Sequence, residues 1–157
     1  MMENIDQFWE DDDGERMRKA SNAYDDSILT LADAIRFALV TPDEYDVSLR
    51  ARTERVNTWC RQLGKRNVCL VSIHTNAAGN GKQWMNVRGW TCYTSKGQTA
   101  GDQLADCLYQ AAALWLPGHK LWKDYSDGDP DWESDFYILK NTLCAAALTE
   151  NLFHDNS

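Results

Sequence analysis

The sequence predicts a layered α/β fold with a parallel sheet, on the strength of two observations. Segments whose apolar residues recur every three or four positions alternate along the chain with short, continuous apolar runs. The runs at residues 68–73 and 145–149 follow the pattern of strands that are buried on both faces, which is typical of parallel sheets. Helices that alternate with such strands form the layers of an α/β domain.

The first part of the chain contains an acidic segment and two predicted helices. Residues 1–20 are polar and acidic, and we expect them to be a poorly ordered lead-in to a single domain over residues 21–157. Apolar residues at helical spacing predict a helix over residues 27–39 and a second helix over residues 48–63, which ends at Gly64. Both helices precede the first predicted strand.

The second part of the chain adds a strand, a long helix and an acidic loop. Residues 89–94 are rich in aromatic and β-branched residues, which indicates a strand. A helix is predicted over residues 99–116. Its apolar stripe consists of Leu104, Cys107, Leu108, Ala111 and Trp115. Residues 124–135 form an acidic loop, and residues 136–139 form a short apolar piece before the last strand.

The acidic loop begins like a calcium-binding loop, with Asp127, Asp129 and Asp131 at alternate positions. Trp132 stands where such a loop needs its turn glycine, and Ile138 stands where it needs its final glutamate. We therefore expect a loop in solvent, and contact with a ligand or metal is the alternative interpretation.

The charge of the chain excludes several classes of protein. Sixteen Lys and Arg against 24 Asp and Glu give a net charge of −8, which argues against a non-specific nucleic-acid binder and a polybasic membrane-surface protein. No apolar run approaches the roughly 20 residues of a membrane span. The acidic amino terminus is unlike a signal peptide. We expect a non-secreted chain with neither nucleic acid nor membrane as a partner, and its oligomeric state is left open.

Two residues of complementary chemistry stand at the ends of the apolar strands. His74 and Glu150 each follow such a strand, and ligands of open α/β sheets bind outside the carboxyl ends of the strands. A histidine can hold zinc, and a partly desolvated glutamate has the raised pKa that suits a general base. The alternative is that both are structural, the histidine at a strand–loop junction and the glutamate where the chain leaves the core.

Four tryptophans lie in or near predicted loops, and they allow two interpretations. These residues are Trp84, Trp90, Trp122 and Trp132. They can line a groove for a sugar or a peptide, or they can pack in the core and at its rim. The general burial of tryptophan favours packing.

Five blocks of the sequence, in their order and spacing, resemble the zinc-dependent N-acetylmuramoyl-L-alanine amidases of cell-wall hydrolases and phage lysins. The blocks are residues 46–52, 70–77, 89–94, 136–142 and 147–153. The resemblance extends from residue 43 to the end of the chain. It implies a three-layer α/β/α sandwich with a mainly parallel central sheet.

The resemblance also implies a reaction and a site. The reaction is hydrolysis of the bond between N-acetylmuramic acid and L-alanine in peptidoglycan, with Zn²⁺ as cofactor, by a protein that is cytoplasmic until released or acts at the bacterial cell wall. His74 matches a zinc ligand and Glu150 matches the catalytic glutamate. Asn76, Trp90 and Asn151 are expected to bind substrate.

The zinc site that the resemblance implies is incomplete in this sequence. The chain has no Gly-His-Gly loop for the first zinc histidine, and Ser21 stands where the family has a zinc glutamate. Parts of the family's amino- and carboxyl-terminal elements are also lacking. A catalytic zinc needs three protein ligands, for which Glu15, residues 11–13 or His154 are the possible substitutes. The alternative function is therefore a catalytically inactive domain that binds peptidoglycan or a protein partner.

Overall fold

The computed structural model describes residues 35–42 and 45–156 of the chain. The chain divides into two units, Met1–Pro42 and Asp43–Ser157. The predicted lead-in and residues 27–34 of the first predicted helix lie outside the described residues. Residues 35–39 of that helix are described and are not helical, so this part of the prediction is wrong. Helical spacing of apolar residues yields a stable helix only where that face is packed, and a short segment has little helical stability of its own.

The second unit is a mixed α/β domain built on one sheet. Its elements are α1 (Leu49–Leu63), β1 (Cys69–Asn76), β2 (Trp90–Thr94), α2 (Ala100–Trp115), β3 (Trp132–Glu133), α3 (Tyr137–Asn141) and β4 (Ala145–Phe153). The described sheet has the strand order β1-β4-β2-β3. β4 is parallel to β1 and antiparallel to β2, and β2 is parallel to β3. The predicted α/β fold with a mainly parallel sheet is confirmed.

Helix α1 begins and ends where the sequence predicts, and it is fastened to the start of β4. The Ser48 hydroxyl accepts a hydrogen bond from the first turn, and Gly64 takes the positive φ of 87° that a helix stop favours. The buried Asn57 donates to the carbonyl of Asn141 at 2.9 Å and accepts from the backbone N–H of Leu143 at 2.9 Å. The Asn57 side chain thus satisfies one carbonyl and one N–H group in the connection between α3 and β4.

Helix α2 packs on the sheet through small residues. Its amino terminus is a capping box, in which the Asp102 carboxylate accepts from the Thr99 N–H at 2.6 Å. A Cβ on Gly101 would lie 2.7 Å from the carbonyl oxygen of Ala146, so glycine allows the helix to approach β4. The residues buried between helix and sheet are Trp90, Cys92, Ala105, Tyr109, Ala112 and Ala147.

The apolar stripe predicted for α2 is wrong at Cys107, Ala111 and Trp115, because the helix is rotated so that Ala105, Tyr109 and Ala112 face the sheet. Cys107 and Ala111 are exposed, and Trp115 is 71% exposed. Leu104 and Leu108 are only partly buried at the edge of the contact. Close approach of helix and strand favours small residues at Gly101, Ala105 and Ala112, and Tyr109 is a large side chain that is buried beside them.

Strand β1 is confirmed as a parallel strand, but its predicted burial on both faces is wrong. Ile73 is 77% exposed, whereas Leu70 is buried. Within the described part of the sheet, β1 is an end strand and is hydrogen-bonded only to β4.

The acidic loop is not simply solvated, and this prediction is wrong at Asp131. Asp131 is 2% exposed, and its Oδ2 accepts from the Thr94 hydroxyl at 2.6 Å. Burial raises the pKa of Asp131 to about 7, against the lowering effect of the Thr94 hydrogen bond and with help from the carboxyls of Asp129 and Asp102. The end of the loop is fixed against the sheet because Trp132 and Glu133, which follow Asp131, pair with Tyr93 and Thr94 of β2. The short apolar piece beyond it forms most of α3.

Substitution of Asn57 tests the link between α1 and β4. We expect Asn57→Ala to lower the free energy of unfolding by about 2–3 kcal/mol, since it leaves a carbonyl and an N–H without their partner. Urea unfolding followed by circular dichroism measures the loss. Thr58→Ala, at the next residue, is the control: Thr58 is half-buried and its hydroxyl bonds only within the helix and to Arg61, so we expect a change in stability of less than about 1 kcal/mol. Equal effects of the two substitutions would contradict the assigned role of Asn57.

Substitution of Asp131 tests its burial. The unfolded chain releases this proton near the ordinary pKa of 3.8, whereas the folded protein holds it to about pH 7. Folding therefore binds a proton in this interval, and the Asp131 contribution to stability falls as pH rises, by up to about 1.4 kcal/mol per pH unit. We expect Asp131→Asn, measured by urea unfolding, to become progressively more stable than wild type between pH 4.5 and 7.5. A stability difference that is constant over this range would show that Asp131 is not protonated in the fold.

Candidate functional site

The sheet brings His74 and Glu150 side by side. The two residues are direct partners in the parallel pairing of β1 with β4, near the carboxyl ends of both strands. Because residues directly opposite each other point to the same face, the two side chains lie on one face of the sheet. The sequence places both residues at the ends of apolar strands, and the register of the two strands brings them directly opposite each other.

Glu150 is half-buried and keeps one oxygen free of protein hydrogen bonds. Its Oε2 is buried and has no hydrogen-bond partner among the described residues. Burial raises the pKa of Glu150, and the proximity of His74 partly offsets this effect. A carboxylate with raised pKa and an unpaired oxygen is suited to accept a proton from a bound molecule.

His74 is exposed and is oriented by its own strand. Its Nε2 lies 3.0 Å from the hydroxyl of Ser72, two residues earlier on the same face. Its carbonyl oxygen accepts from the Asn151 side chain at 3.0 Å. The imidazole is therefore at the open edge of the sheet, where it can contact a ligand or a metal ion.

Two of the residues expected to bind substrate, Trp90 and Asn151, form a hydrogen-bonded pair behind the site. The Trp90 Nε1 donates to Asn151 Oδ1 at 2.9 Å, and the Asn151 amide nitrogen donates to Thr149 as well as to His74. Trp90 is 4% exposed and its ring meets the Tyr109 ring edge-on at 4.9 Å. Asn151 thus ties all three neighbouring strands together at the level of His74.

The third residue expected to bind substrate, Asn76, is the last residue of β1, two positions after His74. Its Oδ1 accepts from the N–H of Ala77 at 2.8 Å. The pairing register shifts between His74 and Asn76, so that Asn76 faces Phe153, and Leu152 takes a positive φ of 64° at this irregularity. Such a bulge turns the strand end and changes the direction of the side chains that follow.

Two residues of β2 complete the surroundings of Glu150, and the sequence reasoning did not assign them a role. Thr91 lies directly opposite Glu150 in the antiparallel pairing of β2 with β4, and Tyr93 is the next residue on that face. The pKa of Tyr93 is raised by burial and by the negative charge of Glu150. Alternation along the predicted strand could have identified these two residues, since Trp90 points to the opposite face.

Asp155 is a third residue to which the sequence analysis assigned no role, and it holds the loop after His74. Its carboxylate accepts from the backbone N–H of Ala78 at 3.0 Å and of Gly79 at 2.7 Å. These N–H groups lower the pKa of Asp155, most of all that of Ala78. No local signal in the sequence indicates this contact, because it forms only when β1 and β4 end at the same edge.

The described residues do not form a zinc site by themselves. They contain no group of three or more His, Cys, Asp or Glu side chains placed to hold a metal ion. A catalytic zinc needs three protein ligands, whereas this edge offers His74 and the neighbouring Glu150. His154 is exposed and donates its backbone N–H to the Asn76 carbonyl at 3.0 Å, and the other suggested substitutes, Glu15 and residues 11–13, lie outside the described residues.

Comparison with known proteins relates the chain by fold to one group of enzymes. The chain matches no protein-family model and no curated protein. Among solved structures, it is similar to the N-acetylmuramoyl-L-alanine amidase from Clostridium difficile 630, with a TM-score of 0.56 and 22% identity over 74% of this chain and 54% of that one. It is also similar to the amidase AmiC2 of Nostoc punctiforme, with a TM-score of 0.59 and 19% identity over 82% of this chain and 61% of that one.

A third similar structure is the catalytic domain of CwlV, an N-acetylmuramoyl-L-alanine amidase from Bacillus (Paenibacillus) polymyxa var. colistinus. The TM-score is 0.52 and the identity 19%, over 83% of this chain and 62% of that one. The chain therefore has the α/β fold of N-acetylmuramoyl-L-alanine amidases and spans between 54% and 62% of the length of these structures.

Within the described part of the chain, no helix is long and apolar enough to cross a membrane.

Substitution of Asp155 tests whether it holds the loop after His74. We expect Asp155→Ala to speed amide hydrogen exchange at Ala78 and Gly79, because both N–H groups lose their acceptor. Hydrogen exchange followed by NMR at pH 7 measures this. Asp106→Ala, an exposed aspartate on α2, is the control and is expected to leave these two amides unchanged. Unaltered exchange at both amides in Asp155→Ala would contradict the contact.

Proposed function

We propose that this chain is a peptidoglycan amidase domain that hydrolyses the bond between N-acetylmuramic acid and L-alanine at the bacterial cell wall. The observation that carries the proposal is the direct pairing of His74 with Glu150, whose Oε2 has no partner among the described residues. The fold shared with solved N-acetylmuramoyl-L-alanine amidases supports this choice of substrate.

Glu150 is the residue that moves the proton in this proposal. Its carboxylate accepts a proton from a water molecule, whose oxygen attacks the carbonyl carbon of the lactyl amide. The same proton then passes to the amide nitrogen, the C–N bond breaks, and the products are the lactyl carboxylic acid and the amine of L-alanine. The acid gives its proton to the amine in solution, which leaves a carboxylate and an ammonium group. Burial beside β2 gives Glu150 the raised pKa that this exchange of roles requires.

We further propose that the active protein uses zinc, as the sequence resemblance implies. Zinc supplies Lewis-acid polarisation of a carbonyl and a more acidic bound water. His74 is the described residue that would ligate it, and the described residues do not supply a full set of three ligands. Metal analysis of the purified protein, before and after dialysis against a chelator, tests this part separately from turnover.

A second candidate is a domain that binds peptidoglycan without cleaving it. The specific observation in its favour is that the described residues provide one histidine and one carboxylate rather than a three-ligand set. A wild-type protein that sediments with purified cell walls but releases no amine, with and without added Zn²⁺, would establish this candidate over the first.

The release of L-alanine amino groups from purified cell walls tests the proposed reaction. We expect Glu150→Gln to reduce the rate by about 10²–10⁴-fold, because the amide cannot accept the proton. The matched control is Glu54→Gln, an exposed glutamate of α1 whose only described ion pair is with Arg61. We expect Glu54→Gln to retain the wild-type rate. A Glu150→Gln protein with full activity would remove Glu150 from the reaction.

A further inference from the structure

An aromatic pocket lies next to Glu150 on the same face of the sheet. It has a volume of about 120 Å³, and Tyr93, Trp122 and Trp132 form its walls. Thr91 also lines it, and this residue is directly opposite Glu150 in the strand pairing. Asn76, two residues beyond His74, lines the other side. The pocket is therefore adjacent to the His74–Glu150 pair through Thr91 and Asn76, although neither His74 nor Glu150 lines it.

The Trp122 wall of the pocket is fixed by the surrounding structure. The indole nitrogen of Trp122 donates to the carbonyl of Arg88 at 3.1 Å, and the ammonium group of Lys120 lies 3.4 Å from the centre of its ring. A Cβ on Gly89 would lie 2.2 Å from the same indole nitrogen, so glycine is required for Trp122 to reach this position. The fixed Trp122 ring makes this wall of the pocket a preformed feature, as is usual for small-molecule sites.

Trp132 forms the opposite wall and remains accessible. It is 36% exposed, and its ring centre lies 6.4 Å from that of Tyr93. Strand β3 consists of Trp132 and Glu133 alone, and it pairs with β2 through Tyr93 and Thr94. The short strand thus places one tryptophan at the mouth of the pocket, where its ring can be covered by a ligand.

The chemistry of the lining selects among the parts of a peptidoglycan strand. No charged residue lines the pocket, which combines aromatic rings with the amide of Asn76. Thr91 also lines it, but its hydroxyl is buried and already donates to the Trp122 carbonyl. The peptide stem beyond L-alanine carries carboxylates. The lining residues themselves carry no cation for them, and the neighbouring Lys120 ammonium lies on the ring of Trp122. The C–H face of a pyranose ring packs on aromatic rings, and its hydroxyl and acetamido groups suit an amide partner.

We propose that the aromatic pocket binds the pyranose ring of N-acetylmuramic acid, with Trp132 as the residue that determines this specificity. The inference rests on the proposed function, since it places the sugar on the carbonyl side of the amide that Glu150 cleaves. It assigns the tryptophans of the acidic loop and of the segment before it to sugar recognition, while Trp90 packs in the core.

Binding of soluble probes to the Glu150→Gln protein tests the pocket without cleavage. The sugar-bearing probe is N-acetylmuramoyl-L-alanyl-D-isoglutamine, and the sugar-free probe is L-alanyl-D-isoglutamine, both measured by calorimetry. We expect Trp132→Ala to weaken the sugar-bearing probe about tenfold and Trp132→Phe to restore most of the affinity. Trp115→Ala, which removes an exposed tryptophan from α2, is the matched control and is expected to have no effect.

Val87→Phe provides a second variant that fills the pocket and leaves its aromatic walls in place. We expect it to weaken the sugar-bearing probe as Trp132→Ala does, so the test remains decisive if the alanine variant does not fold. Equal weakening of both probes would assign the pocket to the peptide and overturn the proposal. Unchanged affinity in both variants would overturn it as well.

The test separates this proposal from the proposed reaction. Sugar binding that depends on Trp132 in a protein that releases no amine would support the pocket and contradict the hydrolysis. Amine release by wild type together with sugar binding that is independent of Trp132 would support the hydrolysis and contradict the pocket.

Discussion

The parallel pairing of β1 with β4 is the constraint on which the site depends. One register places Cys69 opposite Ala145 and, five residues further along each strand, His74 opposite Glu150. A slip of one residue would send either side chain to the opposite face of the sheet. β4 also pairs with β2 on its other edge, so the same strand positions Thr91 beside Glu150 and brings the aromatic pocket to the site.

Contacts at both ends of β4 hold this register. At its start, Asn57 of α1 satisfies the backbone of the preceding connection. Along its length, α2 approaches through Gly101 and Ala105, which fixes the helix close above the strand. At its end, Asn151 bonds across to β1 and β2, and Asp155 captures the loop that follows His74. The functional edge is therefore supported by polar contacts that use backbone groups of the neighbouring strands.

Local pattern in the sequence was sufficient to predict α1, α2 and the strands β1, β2 and β4, and to single out His74 and Glu150 at the strand ends. It did not predict β3, which lies inside the acidic loop, and its helix over residues 27–39 is wrong at residues 35–39. The rotation of α2 was missed because it depends on how closely a helix approaches a strand, which periodicity does not encode. The burial of Asp131 was missed because an acidic loop is hydrophilic in composition, while the pairing of β3 with β2 brings one carboxyl inside.

The contacts between distant residues could not be predicted, and these complete the site. Asp155 and Tyr93 contribute only because strands that are far apart in sequence end at one edge or lie side by side. The zinc ligands are a different case, since the sequence lacks the expected histidine loop and the described residues do not replace it. The proposed reaction therefore depends first on His74 and Glu150 acting as one unit.

A double-mutant cycle on the rate of amine release from cell walls tests that claim most directly. Wild type, His74→Ala, Glu150→Gln and the double variant are compared under one set of conditions. If the two residues act as one unit, the double variant will be no slower than the slower single variant. Losses that multiply, so that the double variant shows the product of the two single effects, would show that His74 and Glu150 act independently and would contradict the account.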